Sequence, residues 1–217
     1  MLVRIEVHID TLCPWCYVQK KCLDVVLERF QERHPGMEFE VLWRPFYLYP
    51  LLQGGTKKEL YNSTKGANSF GANSQRIQTV AGSYGIDICL MGRTGPSRNS
   101  HKLIALALQQ RGPSAQSRVV EALFLGHFGG EEDITDDEWL VTVGTTHGGL
   151  QASDVRRALK SEEAGEEIDN EAQAVRLERD VRAVPCVTVQ GKYRVGGYQE
   201  EAVFDKLFES IWANGGS

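Results

Sequence analysis

The sequence predicts an α/β chain in which a βαβ half and a ββα half are separated by a block of helices. Three observations carry this reading. Val3, Ile5, Val7 and Ile9 alternate with Arg4, Glu6 and His8, which is the period of a strand, and a helical stripe and a second strand follow. From about residue 50 to residue 165 helical signals succeed one another. Strand character then returns at Val184–Val189, ahead of a final amphipathic helix.

Each element has a local reason. Pro14 suits the first turn of helix one, where a missing N–H costs nothing. Val18, Cys22, Val25, Val26 and Phe30 recur at helical spacing, and His34-Pro35-Gly36 stops the run. Glu38 to Arg44 places Phe39, Val41 and Trp43 on one strand face, completing a βαβ unit. The stretch from Gln53 to Ser74 is rich in Gly, Asn, Ser and Lys and reads as a loop with one helical turn near Leu60. A surface insertion and a lid over the neighbouring chemistry are both open readings of it.

A short helix is expected from Gln75 to Tyr84, and another from His101 to Gln110, ended by Gly112-Pro113. Ser114 is placed to cap the next, which aligns Val119, Val120, Leu123, Phe124 and Phe128. Thr135 and Glu138 have capping-box spacing, and Ser153 is a further candidate cap. Glu166 to Arg182 reads as a longer helix with Ile168, Ala172 and Val175 in line. After Val184–Val189, Gly191-Lys192 can turn the chain into Tyr193-Arg194-Val195. Phe204, Leu207, Phe208 and Ile211 then mark the last helix, which ends at Asn214-Gly215.

Composition narrows the function. The 217 residues can bury a real core, and a net charge of −5 with both signs dispersed leaves no basic nucleic-acid footprint. No run of about 18 apolar residues is present, so a membrane span is not expected. Read as it stands, the N-terminus carries no export signal, which points to the cytoplasm.

Five cysteines, Cys13, Cys16, Cys22, Cys89 and Cys186, are an odd number in a mid-sized chain, unlike a disulfide-stapled scaffold. The chemistry centres on Cys13-Pro14-Trp15-Cys16, two thiols three residues apart at the start of a helix. Such a pair is a redox dithiol, half of a zinc site, or inert. A closed zinc site needs four ligands, and no second CxxC or HxxxH accompanies this pair. A thiolate is the attacking species in disulfide exchange, and the unsatisfied N–H groups of a helix N-terminus favour an anion. That makes Cys13 the expected attacking group and Cys16, one turn further in, the resolving one. Cys22 and Cys186 read as buried and inert. Cys89 has only apolar neighbours, and a regulatory pairing with Cys22 stays open.

The chain resembles the DsbA-like thioredoxin-fold oxidoreductases, in a FrnE-like branch related to 2-hydroxychromene-2-carboxylate isomerases. The matching stretches are Cys13-Pro14-Trp15-Cys16-Tyr17, Arg44 to Pro50, Ser100 to Ile104, Leu123-Phe124 through Asp133-Ile134, and Val184-Pro185 through Gln199. The resemblance implies a thioredoxin fold with an inserted all-helical domain: residues 1–50 and 166–217 as the discontinuous thioredoxin-like domain and 51–165 as the insertion. It also implies a cis Pro185 beside Cys13, with Val184 backbone groups pairing an extended substrate. Pro14, Trp15, Val184 and Pro185 are thus the expected substrate contacts. His101 is an accessory candidate as a proton shuttle, with capping or packing as its other reading. Arg98 is a candidate carboxylate anchor or an ordinary loop residue.

Two functions follow from the resemblance. One is thiol–disulfide exchange on protein or glutathione disulfides, with no bound cofactor, no metal, and glutathione as a co-substrate. The other is a glutathione-dependent isomerase or transferase acting on an aromatic small molecule. The relatives of that second kind typically carry Ser at the position of Cys13, so the intact pair favours the first. Expected partners are disulfide-containing proteins or glutathione, with neither nucleic acid nor membrane, and a homodimer is compatible. Four positions depart from the branch: Gln19 where glycine is usual, Pro96 and Ser97 in place of Asn-Thr, and Tyr198 in place of alanine.

Overall fold

Alternation along the first strand produces the centre of the molecule. The computed structural model describes residues 1–63, 70–177 and 179–215, with backbone alone at 63 and 70–74. Strand β1 (Leu2–Ile9) turns Val3, Ile5, Val7 and Ile9 inward, each 0% exposed. It pairs in parallel with β2 (Glu38–Pro45), from Leu2 opposite Glu38 to Ile9 opposite Pro45. On its other side β5 (Cys186–Val189) runs antiparallel, and β6 (Tyr193–Gly196) lies outside that, giving the order β2-β1-β5-β6.

Helix α1 (Pro14–Arg33) and helix α8 (Glu201–Gly215) pack against each other beside the sheet. Phe30 meets Phe208 edge-on at 5.7 Å, and Phe39 of β2 meets Phe208 at 4.9 Å. Such aromatic contacts add to an already large apolar burial. Val25 departs from the expected stripe: it is 40% exposed, whereas Val18, Cys22, Val26 and Phe30 are each 0% exposed.

Between β2 and β5 the chain is mainly helical. It runs through α2 (Lys57–Ser63), α3 (Phe70–Ser83), α4 (Arg98–Phe124), α5 (Asp137–Thr146), α6 (Ala152–Lys160) and α7 (Glu162–Leu177). One small ladder interrupts this pattern: β3 (Gly55–Thr56) pairs antiparallel with β4 (Arg93–Thr94). Within the expected loop over 53–74, β3 is formed, α2 supplies the helical turn expected near Leu60, and α3 already begins at Phe70; residues 64–69 lie outside the described residues.

Local expectations at helix ends needed correction. Asp136, not Thr135, caps α5, because its carboxylate reaches the Glu138 and Trp139 N–H groups while Thr135 bonds Asp133. Gln151, not Ser153, stands at the cap of α6. α7 starts at Glu162 and ends at Leu177, and the chain turns at Asp180 with φ 49°. Gly112 does break α4, with φ +80° ahead of Pro113, so the two halves meet at a kink. A π-helical turn at Leu125–Gly129 follows α4, and the buried Lys57 ammonium caps its carbonyls at His127 and Gly130.

A side-chain amide joins the edge of the sheet to α4. Gln116 of α4 accepts from the Trp43 N–H at 3.0 Å and donates to the Trp43 carbonyl at 2.9 Å, occupying the outer edge of β2. Both backbone groups are buried, and a buried group left unpaired costs about 1–3 kcal/mol. Gln116→Ala is therefore expected to destabilise the fold by about 2–4 kcal/mol. The urea midpoint should fall with an unchanged slope, and a midpoint equal to that of the parent would show that water replaces the amide.

Candidate active site

The end of β1 delivers the dithiol. After Ile9 the chain turns through Asp10-Thr11-Leu12, and Cys13 becomes the N-cap of α1 with φ −99° and ψ 108°. Its carbonyl accepts from Cys16 N–H at 3.0 Å, so helix hydrogen bonding begins at the motif itself. Its side chain caps nothing. Instead Cys13 Sγ points to the Val184 carbonyl at 3.6 Å, and the Val184–Pro185 bond is cis. All five cysteines are free thiols.

The two thiols differ in environment. Cys13 is 4% exposed and Cys16 is 0% exposed. Burial pushes the Cys16 thiol well above its usual range, and the neighbouring Cys13 and the Asp10 carboxylate push it the same way. Cys16 is thus a protonated, enclosed thiol behind Cys13.

Beneath the motif lies an acid that a sequence pattern does not single out. Asp10 is fully buried, and its carboxylate accepts the N–H groups of Leu12 at 3.0 Å and Leu48 at 2.7 Å. Burial outweighs these hydrogen bonds and raises its pKa to about 6. His101 Nε2 stands 3.9 Å from Asp10 Oδ1, and the ring meets Tyr47 edge-on. Burial lowers the His101 pKa to about 4, so the imidazole is neutral at pH 7. His101 is thus brought to Asp10, under the dithiol. Tyr61 of α2 closes the same side, its hydroxyl donating to the Leu12 carbonyl at 2.7 Å.

The chain as a whole has known counterparts. The DsbA-like thioredoxin domain model matches residues 4–215. The chain belongs to the DsbA-like thioredoxin family. A structure from Streptomyces coelicolor described as a probable DsbA oxidoreductase is 26% identical, with a TM-score of 0.81 over 97% of this chain and 90% of that one. A 2-hydroxychromene-2-carboxylate isomerase is 20% identical, with a TM-score of 0.65 over 99% and 95% of the two chains. The cytosolic disulfide reductase DsbM of Pseudomonas aeruginosa, solved with glutathione, is 11% identical, with a TM-score of 0.61 over 97% and 99%. These last two show the fold. No curated protein matches the sequence.

The remaining candidates in this DsbA-like chain are placed as follows. Arg98 lines an open cavity of about 540 Å3 with Tyr47, Tyr49, Ser97, Asp169 and Arg176. Its guanidinium is already engaged on both edges, by Asp169 at 2.9–3.2 Å and by Glu162 at 2.6–3.0 Å. It ties α4 to α7, so it is neither an ordinary loop residue nor a guanidinium left open to a ligand carboxylate. Cys22 is fully buried with Sγ 3.5 Å from the Gln199 carbonyl, and Cys186 is buried at the start of β5. Cys89 is half-buried in the segment before β4.

Gln19 and Tyr198 meet at the turn that follows β6. Gln19 Oε1 accepts from the Gln199 N–H at 2.9 Å, which holds the turn between β6 and α8. Gly197 makes that turn with φ +70°, and its N–H donates to the Pro185 carbonyl at 2.8 Å. Tyr198, next along, stacks on Trp15 with centroids 5.1 Å apart. Among the described residues no group of three His, Cys, Asp or Glu side chains is arranged to hold a metal ion. Among them, too, no helix is long and apolar enough to cross a membrane.

Proposed function

We propose that the protein is a thiol–disulfide oxidoreductase of the FrnE-like branch, acting on protein or glutathione disulfides. The observation that carries this is the asymmetry of the pair. Cys13 stands at a helix N-terminus against the Val184 carbonyl, and Cys16 is enclosed and protonated behind it.

The steps follow from that asymmetry. The Cys13 thiolate attacks one sulfur of a substrate disulfide and forms a mixed disulfide, and the other substrate sulfur leaves as a thiolate. Cys16 then loses its proton and attacks Cys13 Sγ. The Cys13–Cys16 disulfide forms, and the second substrate sulfur is released reduced. Two molecules of a thiol such as glutathione return the pair to the dithiol, the first forming a mixed disulfide and the second releasing it as glutathione disulfide. Val184 offers backbone groups to an extended substrate, Pro185 shapes that approach, and Pro14 and Trp15 flank the sulfur. The odd cysteine count supports work in a reducing, cytoplasmic setting.

Purified protein is expected to reduce insulin disulfides with dithiothreitol or glutathione as reductant, followed as turbidity of the released B chain. No acceleration over the reductant alone would overturn the assignment. The potential of the Cys13–Cys16 pair in glutathione buffers then sets the direction of the chemistry, because a value near the glutathione pool marks a reductase or isomerase.

A further inference from the structure

The aromatic wall beside Cys13 carries a charge that has no acidic counterpart among the described residues. Arg76 of α3 places its guanidinium 5.4 Å from the Trp15 ring centroid. Arg76 is exposed, and among the described residues no carboxylate pairs with it. Arg29, Arg98 and Arg156, by contrast, each reach a second element to hold Asp or Glu, and Arg176, which also lies over a ring, engages its guanidinium on the Tyr47 carbonyl. A guanidinium stacked on an aromatic face keeps its N–H donors in its own plane. Its fork therefore stays available to a carboxylate arriving from solvent.

The surroundings fix where that carboxylate would come from. Trp15 is two residues from Cys13 and stacks on Tyr198 at an interplanar angle of 29°. The turn carrying Tyr198 is anchored to the Pro185 carbonyl through Gly197 and to α1 through Gln19. The wall thus borders the peptide-binding stretch at Val184 and Pro185.

Resting on the thiol–disulfide reading, we propose that Arg76, presented on the Trp15–Tyr198 stack, selects substrate peptides with an acidic side chain next to the disulfide cysteine. Arg76 is then a specificity-determining residue, acting by binding rather than in the exchange. The net charge of −5 repels acidic peptides at long range, so a preference for them reports this local contact.

The test uses three blocked dipeptide disulfides carrying Glu, Gln or Lys beside the cysteine, at low ionic strength. The Glu substrate is expected to exceed the Gln substrate about fivefold in kcat/KM, the difference lying in KM, the upper end of what a solvent-exposed ion pair supplies. Arg76→Gln should bring that ratio to within about twofold of one, and Arg76→Glu should favour the Lys substrate. A Glu preference that survives in Arg76→Gln, or equal rates in the parent, overturns the inference and leaves the oxidoreductase reading intact. Failure to turn over any of the three substrates overturns the oxidoreductase reading itself.

Discussion

Cys13→Ser is expected to lower insulin reduction by at least roughly 10³-fold, since removal of an attacking nucleophile leaves only background chemistry. Cys16→Ser should behave differently. It keeps the first attack and lacks the second, so it should accumulate a mixed disulfide with glutathione or substrate, seen as a covalent adduct by mass spectrometry. The contrast rests on the structure's ordering of the two sulfurs, with Cys13 against Val184 and Cys16 enclosed. Full activity in Cys13→Ser would remove the basis of the proposed function. An adduct on Cys16 in Cys13→Ser would reverse the roles. Because burial holds Cys16 protonated, release from the mixed disulfide should also slow as pH falls.

The second large effect is on stability in acid. His8, His101 and His127 are buried, and burial lowers their pKa values to about 4, about 4 and about 3. In the unfolded chain each takes a proton near pH 6.5, so the unfolded state binds protons first as pH falls. Their stabilisation is complete above pH 6.5 and is lost on the way to the folded values. At pH 4.5 the three together remove about 8 kcal/mol, at 1.36 kcal/mol for each pKa unit. Asp10 acts the other way. Its raised value of about 6 means the folded chain takes that proton first, which returns about 2 kcal/mol over the same range.

A net loss of about 6 kcal/mol is comparable with the whole stability of many domains. Acid unfolding is therefore expected near pH 4.5, read from urea midpoints between pH 8 and pH 4.5. His127→Leu should remove about a third of the histidine loss. A midpoint that stays flat to pH 4.5 would mean that the histidines reach water in the folded state.

How far all this could be read in advance depended on the range of each interaction. β1 and α1 were plain because alternation and helical spacing are local signals, and Ile5 or Phe30 needs no partner to declare its face. The dithiol was plain for the same reason, since both sulfurs sit within one helical turn. The wrongly assigned caps show the limit of local reading. Thr135 and Asp136 are both good caps by residue type, and the loop geometry at Asp133 chooses between them. Asp10 was overlooked because an aspartate after a strand looks like a turn residue, and its burial depends on Leu48 and His101, distant in sequence. Gln19 and Tyr198 stood out singly as departures, but only the folded chain brings them into one arrangement. Arg98 shows the reverse: its carboxylate partners sit 64 and 71 residues away, so it looked free.

The Gln116 amide on the rim of β2 also bears on how this chain behaves at high concentration. An exposed strand rim is a template on which other chains can pair and aggregate. Here one rim of the sheet is closed by a side chain from the same molecule. The other belongs to β6, a four-residue strand with the cationic Lys192 and Arg194 at its beginning. Short length and positive charge both discourage a second copy from docking there. Losing Gln116 would therefore do more than weaken the fold. It would leave the Trp43 N–H and carbonyl unpaired on that rim, the two groups through which a strand of another copy could begin to dock.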